Sequence, residues 1–75
     1  MDIRNVQKYV MGLYSATKFS TNRRSAQSLM DQAYGVVMFF IQNTTSQADI
    51  SEISEWWDND LRYRFNDMVY KVEEY

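Results

Sequence analysis

The chain has 75 residues, of which 45% are hydrophobic, 16% aromatic and 24% charged, with a net charge of −2 and neither cysteine nor histidine. Such a length makes one small domain, residues 1–75, that buries only about 60% of the surface its unfolded form exposes. Without Cys or His the chain has no disulfide, no Cys or His zinc site, no Ser-His or Cys-His nucleophile pair and no histidine general base.

The opening run MDIRNVQKYV lacks the basic start and apolar stretch of a secretory leader, and no segment approaches the roughly 18 apolar residues of a membrane span. A soluble cytoplasmic protein with no membrane partner is the expectation. The charge is uneven. Residues 1–34 carry net +3, whereas residues 35–75 carry net −5, with five acids and no base from Asp49 to Asp60. Asymmetry of this kind bears on partners rather than on fold.

The first predicted helix runs from about Asp2 to about Phe19. Ile3, Val6, Val10, Leu13 and Thr17 alternate spacings of three and four and so share one stripe, with Tyr14 at its border and Gly12 on the opposite side. Ser20, Thr21 and Asn22, all favourable helix N-caps, then make a short turn. The second helix is predicted from Arg23 to about Gln42, with Ala26, Leu29, Met30, Ala33, Val36, Val37, Phe40 and Ile41 on its apolar stripe. From Tyr34 to Ile41 every residue except Gly35 is large and apolar, and a helix apolar all round is normally buried all round.

Asn43 to Ser46 form a polar connection, after which either Ser46 or Asp49 can cap a third helix reaching about Val72. Ile50, Ile53, Trp57, Leu61, Phe65, Met68 and Val72 are its expected core stripe. With no Pro and no alternating strand-like run, the fold class expected is all-α, a three-helix up-down-up bundle.

No catalytic, cofactor or metal residues emerge. Asp58 and Asp60 are the obvious carboxylate pair, but the run DNDLRY lacks the Gly and terminal Glu of a calcium loop and reads as solvated helix. A non-enzymatic binding module is therefore expected, and three surfaces compete to carry the binding.

The first is Gly35, Met38 and Phe39 on the outward side of the second helix, expected to form a homodimer interface because self-association is the simplest cover for large apolar groups there, the rivals being the first helix, the Tyr75 region or a different protein. The second is a stripe on the third helix, Trp56, Tyr63 and Tyr70 at seven-residue intervals with Glu52, Asn59, Asp67 and Glu74 nearby. Aromatic anchors with an acidic rim suit another cytosolic protein with a basic surface, including one that the carboxylates would inhibit by mimicking nucleic acid. The alternative is nucleic-acid binding by Lys18, Arg23, Arg24 and Gln27 around the start of the second helix, against which stand the acidic body and a turn without Gly.

Overall fold

The computed structural model describes residues 2–72, which are all-helical, with no strand among them. Three helical stretches share one core: α1 (Ile3–Thr17), α2 (Arg23–Asn43), and a third made of α3 (Gln47–Trp56), a π-helical turn (Trp57–Leu61) and α4 (Arg62–Lys71).

The caps are those that the polar turns offer. The Asp2 carboxylate accepts the Arg4 amide at 3.1 Å, Asn22 accepts the Ser25 amide at 2.8 Å, and Ser46 rather than Asp49 caps α3, its hydroxyl accepting the Asp49 amide at 3.2 Å. Each satisfies an amide that the first helical turn leaves without a partner. At the far end of α1 the bonds tighten to a three-residue step, Lys18 to Ser15, Phe19 to Ala16 and Ser20 to Thr17. The helix therefore ends at Thr17, two residues before the expected limit.

The core is built from Val6 and Val10 of α1, Ala33, Val37 and Phe40 of α2, and Ile53, Trp57, Leu61 and Phe65 of the third stretch. Ala26, Thr17 and Val69 are buried as well. Ile3, Leu13 and Leu29, expected at the centre, are half-buried instead, the first two packing against the edge of the core. Four rings then run through all three stretches. Tyr14 meets Phe65 edge-on at 5.2 Å, Phe65 meets Trp57 at 5.7 Å, and Trp57 meets Tyr34 at 5.8 Å. Offset and edge contacts of this kind add about 0.5 to 1.5 kcal/mol each beyond the area they bury.

One expectation about the third helix fails. The single helix expected up to about Val72 is interrupted: the Arg62 amide bonds the Trp57 carbonyl five residues back, the mark of a π turn. The cause lies in spacing. Ile53, Trp57, Leu61, Phe65 and Val69 stand four residues apart throughout, and in an α-helix each such step overshoots by about 40°, enough to carry the last residue off the core. The wider turn takes the overshoot back, so Val69 is buried and Met68, expected in the core, is half-buried. Val72, expected within the helix, has left it for an extended conformation.

Trp57 is 3% exposed and touches two of the other rings, whereas its neighbour Trp56 is half-buried at the core's edge. Trp57→Ala is expected to lose about 3 to 5 kcal/mol in urea unfolding, and Trp56→Ala much less. A reversed order would contradict the phase of the third helix.

Deleting Asn59, an exposed residue of the π turn, leaves the same apolar side chains at steps of four, three, four and four, a pattern that a plain α-helix accommodates. The shortened chain should melt cooperatively and with a smaller loss of stability than Trp57→Ala. Loss of the cooperative transition would mean that the π turn is indispensable.

Candidate functional site

Along α2 the step from Gly35 to Phe39 is one turn, and the structure leaves both outside the core. Phe39 is 54% exposed. With Asn5 and Tyr9 of α1 and Gln32 and Val36 of α2 they line a groove of about 560 Å³ between the two helices, on the side that the third stretch does not cover. Its floor is apolar and no residue lining it is charged. Tyr9, itself more than half exposed, forms the wall opposite Phe39.

Gly35 opens this groove. A Cβ placed there would have no heavy atom within 4 Å, and the residue has ordinary helical φ, so neither packing within the chain nor backbone conformation requires glycine. Gly12 on α1 is equally open. A glycine inside a helix is about 1 kcal/mol less favourable than alanine, a penalty that these two positions bear with no intramolecular return.

Of the three residues expected at a dimer interface, two are brought together and one is not. Met38 is half-buried in a separate crevice, where α2 meets Ser54 of α3 and Trp57 of the π turn. Asn5 and Tyr9 were not among the expected interface residues. Their four-residue spacing was readable, but nothing in the sequence set them beside Gly35.

The aromatic stripe on the third helix divides. One extra residue per turn rotates the residues beyond it by about 100°, so Trp56 leans on the core while Tyr63 and Tyr70, 59% and 72% exposed, share a different side. An arginine lies over each tyrosine: Arg62 5.2 Å from the Tyr63 ring centre, and Arg23 5.5 Å from that of Tyr70. Asp67 pairs with Lys71 at 2.8 Å, a contact that raises the lysine's pKa through the hydrogen bond and the carboxylate's charge. Glu52 and Asn59 are exposed, and Glu74 lies outside the described residues.

The basic residues of the alternative reading are also drawn into the fold. Arg23 donates to the Tyr70 carbonyl at 3.3 Å, tying the start of α2 to the end of α4. Lys18 sits 5.3 Å from the Tyr14 ring centre, and Gln27 donates to Asp31 at 3.1 Å. Arg24 is exposed. Asp60, one of the two carboxylates in the π turn, is bound by Arg64 at 2.6 Å, and among the described residues no three potential metal-ligating side chains cluster.

No family model, no curated protein and no solved structure matches this chain. No described helix is long and apolar enough to cross a membrane.

Gly12→Ala should raise the stability of the domain by about 0.5 to 1 kcal/mol, because the added methyl meets nothing and the helix gains propensity. Gly35→Ala should do the same. Thermal melts of the two variants at submicromolar concentration check this, and a loss of stability at Gly35 would show that its surroundings within one chain are tighter than the geometry indicates.

Proposed function

We propose that this protein is a non-enzymatic binding module, a three-helix up-down-up bundle whose partner is a second copy of itself. The observation that carries the reading is the uncharged apolar groove of Tyr9, Gly35 and Phe39, left open on the surface of a chain too small to forgo burial lightly. Covering one large apolar side chain contributes about 1.5 to 3 kcal/mol, in a domain whose whole stability is of the order of a few kcal/mol. A two-fold contact uses the patch twice and closes on itself.

The up-down-up course is supported by the short turns and by the sharing of one groove between the start of α1 and the second half of α2. It is further supported by Arg23, which joins the beginning of α2 to the end of α4. A cytoplasmic setting suits a chain with no cysteine to oxidise.

Tyr63 and Tyr70 support a weaker second reading, a contact with a basic partner protein. They remain exposed on one side of α4, but the arginines stacked on both rings reduce the acidic character that would steer such a partner. Nucleic-acid binding ranks below both, since Arg23, Lys18 and Gln27 have contacts within the fold and the chain is acidic overall.

Sedimentation equilibrium tests the main reading. The wild type should be dimeric at high micromolar concentration, and Phe39→Glu, which places a charge in the groove, should be a folded monomer. A monomeric wild type would overturn the reading, and a dimeric Phe39→Glu would move the interface elsewhere.

A further inference from the structure

Phe19 is the most exposed large apolar side chain among the described residues, at 84%. Its place is fixed. The three-residue bonds from Lys18 to Ser15 and from Phe19 to Ala16 continue the coil of α1 beyond its last turn, so Phe19 extends a stripe formed by Asn5, Tyr9, Gly12 and Ala16. Ser28, Gln32, Gly35 and Phe39 on α2 repeat the spacing of that stripe. All nine positions are exposed and none is charged, in a chain where 24% of residues are. The outer side of the α1–α2 pair thus holds an aromatic knob near one end, a groove toward the other, and the small residues Gly12, Ala16 and Ser28 between them, where two backbones can approach closely.

Resting on the self-pairing reading above, we propose that the groove's occupant is Phe19 of the second copy, the two copies lying antiparallel about a two-fold axis near Ser28. The charges at the edge of the face select this orientation. Arg24 stands four residues before Ser28 and Asp31 three residues after it, both toward the same edge, so an antiparallel two-fold brings each Arg24 to the partner's Asp31, whereas a parallel pair leaves like charges at one level on opposite edges and joins no opposite charges. The same operation carries the α1–α2 turn, level with the start of α2, by an equal distance past Ser28 to the level of Gln32 and Gly35, at the mouth of the groove. Knob, hole and charge pair therefore meet under one axis. Each copy donates one Phe19 and receives one, so the contact is closed and leads to no filament.

Analytical ultracentrifugation of the wild type and its variants tests this. Phe19→Ser, at a position too exposed to affect folding, should weaken dimerisation at least about tenfold, the order expected from removing burial of aromatic surface. Arg24→Glu should weaken it as well, by setting like charges together, and the double variant Arg24→Glu/Asp31→Arg should restore it, because exchanging the two charges preserves the pair only in the antiparallel arrangement. A wild type that is monomeric overturns both this arrangement and the self-pairing on which it rests, and leaves the groove to another occupant. A dimer that Phe39→Glu dissociates while Phe19→Ser and Arg24→Glu leave it unchanged keeps the groove as the interface and overturns the antiparallel exchange alone.

Discussion

Five apolar side chains at a constant step of four residues govern the third helical stretch, and much of the molecule depends on how their overshoot is absorbed. Ile53, Trp57, Leu61, Phe65 and Val69 can all face α1 and α2 only if the backbone unwinds once, which it does between Trp57 and Leu61. That unwinding lets Trp57 and Phe65 stand side by side in the centre of the core, with Tyr34 on one flank and Tyr14 on the other. It also turns Tyr63 and Tyr70 away from the side that Trp56 occupies, so one backbone adjustment decides which aromatics are structural and which face solvent.

The two halves of the chain, opposite in net charge, are joined rather than kept apart. Arg23 stands at the start of α2 but takes the carbonyl and ring of Tyr70, near the end of α4. Lys18 rests against Tyr14, and the acids of the third stretch take local bases, Asp60 with Arg64 and Asp67 with Lys71. These last two pairs are exposed and one turn apart, a class that solvent screens heavily, so they organise the surface more than they stabilise it. The stripe from Asn5 to Phe19 on α1 and its turn, and from Ser28 to Phe39 on α2, is left without charge.

Much of this was legible in the residues. The helices, the turns and the stripes of α1 and α2 follow from spacing and capping chemistry, because Val6, Val10, Ala33, Val37 and Phe40 admit only one phase. The third helix admits two. Met68 and Val69 are both apolar, a step of three and a step of four are each acceptable locally, and neither Gly nor Pro marks the π turn, so only packing against the other helices decides between them. On the candidate site, Gly35 and Phe39 show in the sequence as an interruption of the rule that an outward side is polar. Tyr9 and Asn5 do not, since the lateral offset of α1 against α2 is a tertiary fact, and Met38 turns toward α3 for the same reason.

Thr17 is the only buried polar residue among those described, and its hydroxyl donates to the Leu13 carbonyl of its own helix at 2.9 Å. The bond satisfies the group locally, so this hydroxyl fastens no helix to another. Within the core, alignment of the three stretches rests on the shapes of the rings and branched side chains, and the Arg23–Tyr70 contact adds a polar tie at one end of the bundle. A core of this kind tolerates exchange of apolar residues at constant volume, and when it is loosened it loses its unique alignment before it loses its helices. The chain is thus built like a set of nested contours rather than a latched box, able to yield by small sliding adjustments without breaking a single interior hydrogen bond.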